Sequence, residues 1–245
     1  MQLRRPHERY KGHVIAAAPG THGAVCNAVV RYRTAEHTVL DLGAYTGALI
    51  ERLRDAGFAR TTAADLDNHL TKPDVTHIKC NFNHKFSQAF DGVKYDCIVA
   101  CEVIEHLDDP RAFLRECAQL LNDSGIIVVS TPNIRFFEGR IKFLLRGELW
   151  GFGAKNYLLQ RHISPISIEQ FPLLFKETGF EMLELSTAAS FASNLRVLVT
   201  SPIWVPLRMA LGPTVLGESV IAIARKTAGA TGNFQSEDLW AKDTR

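Results

Sequence analysis

Between Thr38 and Ser130, short and wholly apolar runs alternate with stretches of helix-forming composition. This alternation constrains the fold more than any other feature. Thr38 to Leu42, Thr61 to Asp65, Thr76 to Cys80, Tyr95 to Ala100 and Ile126 to Ser130 read as five strands. Strands apolar along their whole length need cover on both faces, as a parallel sheet with crossover helices provides. The crossovers are then right-handed. Ala48 to Ala56 and Arg111 to Leu121 supply two helices, the second with Phe113, Leu114, Cys117, Leu120 and Leu121 on its buried side. Another helix, from Gly20 or Thr21 to Arg33, precedes the first strand. Later, Ile168 to Thr178 forms a helix closed by Gly179, and Phe180 to Ser186 pairs as a hairpin with Ser219 to Arg225. The expected architecture is α/β: a doubly wound, mostly parallel, seven-stranded sheet.

In such a sheet, ligands bind beyond the carboxyl ends of the strands. Gly43, Asp65, Asn81 and Cys101 all fall at or just past those ends. Gly43 and Gly47 bracket a turn between the first strand and its helix. That geometry lets a ligand lie against bare backbone at a helix N-terminus, and Asp41 adds an acceptor for an ammonium or amide group. The spacing is D-x-G-x-x-x-G, not the G-x-G-x-x-G dinucleotide fingerprint, and no Lys-Ser or Lys-Thr follows to make a nucleotide P-loop. Alone, the turn is equally compatible with an ordinary strand-to-helix connection.

The 245 residues suffice for one domain with insertions. A formal net charge of +2 does not imply nucleic acid, although basic residues concentrate in two places. One is the start of the chain (Arg4, Arg5, Arg9, Lys11) and the other runs from Arg135 to Arg161. The organisation predicted is a loose basic arm over 1–19, a main domain over 20–226 and a polar tail over 227–245. Insertions fall at about 134–165 and 190–216. Five cysteines (Cys26, Cys80, Cys97, Cys101, Cys117) make an odd number without C-x-x-C spacing. They suggest neither a zinc site nor a disulfide framework, and are expected to pack as small hydrophobes. With neither a signal-peptide pattern nor about 18 uninterrupted apolar residues, a reducing cytoplasm is the expected location.

Several stretches, in order, resemble class I S-adenosylmethionine-dependent methyltransferases, over roughly residues 37 to 186 with a last strand at 219 to 225. Val39 to Gly47 looks like the first motif, and Ala64-Asp-Leu-Asp like the acidic end of the second strand. Tyr95-Asp-Cys-Ile-Val-Ala-Cys-Glu-Val-Ile-Glu-His-Leu-Asp-Asp-Pro resembles the fourth-strand motif of the branch containing ubiquinone-type O-methyltransferases. Leu120 to Asn133 resembles that branch's fifth-strand motif. The resemblance implies a Rossmann-like methyltransferase fold with helical lid insertions and S-adenosyl-L-methionine as cofactor.

It also implies roles. Gly43, Ala44 and Gly47 would let the methionine end approach the backbone, with Asp41 near its amino group. Asp65 would accept both ribose hydroxyls, with Leu66 beside it; a local helix cap over Asn68 to Leu70 is the alternative. Asn81 and Phe82 would meet the adenine, and the Cys101 backbone would lie under the amino-acid portion. Where the family has a middle glycine this chain has Tyr45, and where it has an adenine-contacting acid this chain has Asn81, whose amide oxygen can still accept.

Methyl transfer from a sulfonium is an in-line displacement, so a base is needed only when the acceptor must lose a proton. His106 and His162 are the candidates, and local packing roles are the alternative for both. Glu102, Glu105, His106 and His162 also resemble the metal site of small-RNA 3′-end methyltransferases. Because E-x-x-E-H is widespread in relatives without a metal, none is assigned. The insertions place large apolar side chains over Phe136 to Trp150 and Phe191 to Leu216 beside Arg135, Arg140, Lys142, Arg146, Arg196 and Arg208. They read either as lids packed over the site or as a basic, apolar surface for the inner face of an anionic membrane. The leading expectation is O-methylation of a small molecule, saccharide or lipid-linked metabolite, with nucleic acid disfavoured as a partner. RNA ribose 2′-O-methylation and a non-catalytic binding subunit, its pocket blocked by Tyr45, are the alternatives.

Overall fold

The carboxyl edge of the sheet is where this chain's polar residues collect, and strand order decides which of them meet. The computed structural model describes residues 8–72, 74–188 and 194–227, with backbone alone at 194–197. Its main sheet comprises β3 (Val39–Leu42), β4 (Thr61–Asp65), β5 (Thr76–Lys79), β6 (Tyr95–Cys101), β7 (Leu121–Pro132), β8 (Phe180–Ala188) and β9 (Ser219–Lys226). Their order across the sheet is β5-β4-β3-β6-β7-β9-β8. Neighbours from β5 to β7 pair parallel, whereas β9 pairs antiparallel with both β7 and β8. The seven-stranded, mostly parallel sheet read from the apolar runs is therefore present. The order reverses between β3 and β6, so their carboxyl ends diverge from opposite-going crossovers and leave a crevice.

Both faces of the sheet are buried, which explains the unbroken apolar runs. Leu40 and Leu42, Ile98 and Ala100, and Ile127 and Val129 point to the side covered by α3 (Pro110–Leu120) and α6 (Gln170–Glu177). Alternate residues Val39, Cys97, Val99, Ile126 and Val128 point to the side covered by α1 (Thr21–Tyr32) and α2 (Ala48–Asp55). Each fully buried side chain of this size contributes roughly 1.5–3 kcal/mol relative to exposure. The α3 helix starts sharply because Asp109 accepts from the amides of Arg111 and Ala112 and Pro110 occupies the first turn. All five cysteines are free, and all but the half-buried Cys101 are buried.

Three departures from the sequence reading have local causes. Residues 8–19 are not the loose arm that their charge suggests: β1 (Arg9–Tyr10) and β2 (His13–Val14) pair as a small hairpin. Side chains fasten it, with Lys11 Nζ on Asp55 at 2.5 Å and Arg52 on Glu8 at 2.9 Å. Thr46 Oγ1 donates to the Val14 carbonyl at 2.7 Å, and Ile15 is fully buried. Residues 1–7 and 228–245 lie outside the described residues. The helix expected from Ile134 begins only at Phe137 (α4, Phe137–Arg146), because Asn133 Oδ1 accepts the Arg135 amide and turns the chain first. The strand expected from Ile126 starts at Leu121, with the expected turn surviving as a left-handed Ser124 (φ 61°).

The two insertions are helical. The first holds α4 and α5 (Ala154–Gln160), and the second holds α7 (Asn194–Leu211), which contains Pro202 and Pro206 and packs against α4.

Candidate active site

The site starts from the backbone of the turn after β3. Gly43 donates to the Ala64 carbonyl at 2.8 Å, which ties the turn to the end of β4. Gly43 has φ 78°, and a Cβ there would stand 2.5 Å from Val103 Cγ2. Tyr45 also lies in the left-handed region (φ 45°), the conformation a glycine would adopt most easily. Its ring is turned outward, 41% exposed and edge-on to His69 at 5.6 Å, so it stands on the rim of the hollow and does not fill it. Its amide donates to Asp65 Oδ2 at 3.0 Å while Asp65 Oδ1 accepts from Leu66 at 2.7 Å. Asp65 therefore faces the turn, and no helix forms over residues 68–70 for it to cap.

Behind this turn lies a cavity of about 330 Å³ at the carboxyl ends of β3, β4 and β6. Asp41, Gly43, Ala44, Asp65, Phe82, Cys101 and His106 line it, so seven of the eleven expected site residues converge there. The other four lie just outside its wall. Gly47 (φ 82°) caps α2 under Leu70, Leu66 is exposed beyond Asp65, and Asn81 Oδ1 accepts from the Asn83 amide at 3.0 Å. His162 stands behind His106, ring centroids 4.8 Å apart, and its Nδ1 contacts the Gly151 carbonyl at 2.8 Å. Phe82 is held edge-on by Phe86 and Phe113.

The cavity wall is acidic. It contains the carboxylates of Asp41, Asp65 and Glu102, and among the described lining residues there is no lysine or arginine. Burial, with Asp65 nearby, pushes the Asp41 carboxyl up to about 8, and its Oδ2 has no hydrogen-bond partner among the described residues. Burial also raises Glu102, whose Oε1 accepts from Ser130 at 2.9 Å. A cationic ligand would relieve both groups. The histidines move the other way: burial lowers His106, and burial together with His106 lowers His162 to about 4. Both imidazoles are therefore neutral at pH 7. Glu105 is fully buried without a partner for either oxygen among the described residues, and burial raises its carboxyl strongly. Ligand atoms of Glu105, His106 and His162 all lie within 4.8 Å of one another, a group that could hold a metal ion. Glu102, expected with them, is not part of that group.

Sequence reasoning missed Val14, Ala16 and His22, which also line the cavity. The first two had no signal, since they arrive through the hairpin. His22 had one: a helix feeding a parallel strand begins at that strand's carboxyl edge, so the first turn of α1 must lie beside Gly43.

A nucleotide-like ligand with a cationic end suits this arrangement, and the fold is that of a class I methyltransferase. Residues 18–185 match the family described as a methyltransferase domain, and the chain belongs to that family. The expected resemblance to S-adenosylmethionine-dependent methyltransferases is thereby borne out. Among similar proteins, a ubiquinone biosynthesis O-methyltransferase of Caulobacter vibrioides is 36% identical over 104 residues, 39% of this chain and 41% of that protein. One from Aromatoleum aromaticum is 30% identical over 159 residues, 60% of this chain and 65% of that protein. The match thus spans less than two thirds of either relative. A SAM dependent methyltransferase from Archaeoglobus fulgidus shares the fold at TM-score 0.57 and 18% identity, over 84% of this chain and 94% of that one.

Proposed function

We propose that this protein uses S-adenosylmethionine to methylate a hydroxyl of a small molecule, saccharide or lipid-linked metabolite. The observation that carries this reading is the acidic cavity with Asp65 held against the glycine turn. When bound, such a donor supplies a methyl group on a positively charged sulfur, and Asp41 and Glu102 favour that charge. Asp65 retains acceptor capacity for two ribose hydroxyls, and Phe82 offers an apolar face for the adenine. The neutral His106 imidazole, in the cavity wall, takes the proton from the acceptor hydroxyl. His162 supports the His106 ring from behind and bonds Gly151, so its role is orientation. The O-methyltransferase names of the relatives support oxygen as the methylated atom.

The lid insertions choose the acceptor in this reading. Exposed apolar side chains concentrate on α4, α5 and α7, among them Leu144, Leu158 and Met209. On α4, α5 and the loop between, Arg140, Lys142, Arg146 and Lys155 outnumber Glu138 and Glu148. This combination suits peripheral contact with an anionic membrane from the cytoplasmic side. No helix among the described residues is long and apolar enough to cross a membrane.

The test is calorimetric titration with S-adenosylhomocysteine, followed by mass spectrometry of polyhydroxyl and quinol acceptors incubated with protein and cofactor. Saturable binding, with one acceptor class gaining the mass of a methyl group in place of a hydrogen, is expected. No binding would sink the reading. A second reading, methylation of an RNA ribose, is favoured by one observation, the clustering of Glu105, His106 and His162. It requires a divalent ion in the purified protein and loss of RNA methylation on chelation.

A further inference from the structure

Part of the cavity wall comes from outside the sheet and its helices. Val14, in the β1–β2 hairpin, and Ala16, just after it, both line the cavity. They precede residue 18, where the match to the methyltransferase domain begins. This chain thus adds its own segment to one side of the cavity.

The hairpin is attached in a way that permits release. Among the described residues its two strands pair only with each other and not with the main sheet. Side chains make the attachment. Asp55, the last residue of α2, accepts from Tyr10 Oη and, at 2.5 Å, from Lys11 Nζ, and both members of the ion pair are open to water. Such exposed pairs are individually weak. Ile15 adds a fully buried apolar anchor. At the other end Gly20, with φ 87°, joins the segment to α1, and its amide donates to Glu8 Oε2 at 2.7 Å. A glycine at the start of a rigid helix can absorb a change of direction in the chain before it.

The attachment also reaches the glycine turn. Thr46 Oγ1 donates to the Val14 carbonyl at 2.7 Å, and His13 Nδ1 donates to the Thr46 carbonyl at 2.8 Å. Thr46 stands between Gly43 and Gly47, so a ligand on the turn and the hairpin beside it would rest on the same backbone.

We infer that residues 8–19 form a strap that closes the cavity over bound cofactor and swings on Gly20 to admit and release it. The inference rests on the proposed use of S-adenosylmethionine in this cavity. Asp55 and the buried Ile15 are the latch, and neither lines the cavity. A gate and a fixed wall differ in kinetics. Loosening a gate raises the rates of entry and exit together and leaves affinity nearly unchanged. Loosening a wall raises the exit rate alone and weakens binding.

The test measures association and dissociation rates of S-adenosylhomocysteine by surface plasmon resonance. The full chain is compared with Asp55→Ala and Ile15→Ala, with folding checked by thermal melting. Both rates are expected to rise about threefold or more in each variant, while Kd stays within about twofold. Asp55 lies at the surface, so its variant decides the matter alone if Ile15→Ala does not fold. Rates unchanged in Asp55→Ala would overturn the inference. A faster dissociation with an unchanged association rate would make the hairpin a fixed wall, and would overturn it as well. If the unsubstituted protein does not bind S-adenosylhomocysteine, the proposed function itself fails and the inference falls with it.

Discussion

The Tyr45 amide donates to Asp65 Oδ2 at 3.0 Å and so joins the ends of β3 and β4 across the glycine turn. A residue that departs from the family's glycine thus orients the carboxylate instead of obstructing the hollow. An ionised carboxylate has about four acceptor sites, and Tyr45 and Leu66 occupy two of them. Two remain for a vicinal pair of hydroxyls.

Asp65→Ala is therefore expected to weaken S-adenosylhomocysteine binding about tenfold or more, in line with the ~1.5–3 kcal/mol of hydrogen bonds to a charged group. Asp65→Asn should fall between, because one acceptor oxygen survives. Calorimetric titration measures both. Binding by the alanine variant as tight as that of the unsubstituted protein would mean the ribose sits elsewhere.

Gly43 is needed for packing, apart from the ligand role proposed for it. Its positive φ disfavours a side chain, and a methyl group on its Cα would overlap Val103 Cγ2 at 2.5 Å. Gly43→Ala is expected to destabilise by about 1–3 kcal/mol in urea unfolding. Adding Val103→Ala should restore the part due to overlap and leave the part due to φ. A neutral Gly43→Ala would show that the turn relaxes freely.

How much of this was legible follows from how each residue acts. The strands around Asp41 and Asp65 could be read because burial on both faces leaves an unbroken apolar run, which is a local signal. Asp65 stood out because it ends such a run. The β1–β2 hairpin was illegible because its strands are two residues long, and its fasteners Asp55, Arg52 and Thr46 lie more than thirty residues away. Glu105 stood out only as part of E-x-x-E-H, and nothing local to it signals that the fold closes over it completely. Asn81 stands out only by its position at the end of a strand, and its side chain bonds its own loop.

His22 and Asp41 make stability depend on pH with opposite signs. Burial, then Arg52, lowers His22 from 6.5 to about 4. The unfolded chain binds the extra proton between those values, so this contribution is complete above 6.5 and is lost as pH falls toward 4. Asp41, raised from 3.8 to about 8, keeps its proton in the folded chain, so its contribution is present at low pH and is lost as pH rises through that window. Comparing His22→Gln with the unsubstituted protein isolates the first effect. Between about pH 7 and 5 the variant should lose less stability, by up to about 2 kcal/mol. Parallel melting curves for the two proteins across this range would show that His22 titrates normally.

In the proposed function His106, in the cavity wall, acts on the acceptor and does not hold the cofactor. Burial keeps its imidazole neutral, which is the form able to take a proton. His106→Ala is expected to bind S-adenosylhomocysteine within about twofold of the unsubstituted protein while turnover falls ~100-fold or more, the usual scale of general-base loss. A variant that keeps its turnover would move the base elsewhere or remove the need for one.

The lids make a claim that needs no knowledge of the acceptor. Leu144 and Leu145 on α4 are 84% and 75% exposed, and Leu158 on α5 is 75% exposed, a concentration of bare leucine that is favourable only if something apolar meets it. With basic neighbours on the same helices, the proposed partner is an anionic lipid surface, which would meet both features. The protein is expected to float with vesicles containing phosphatidylglycerol, to float less as salt screens the attraction, and to stay behind with phosphatidylcholine alone. Leu144→Glu combined with Leu158→Glu should abolish flotation and leave S-adenosylhomocysteine affinity unchanged, since neither residue lines the cavity. Flotation that survives both substitutions would place the contact on another face. A salt-insensitive dimer seen in light scattering, with no vesicle binding, would mean that a second copy covers these leucines.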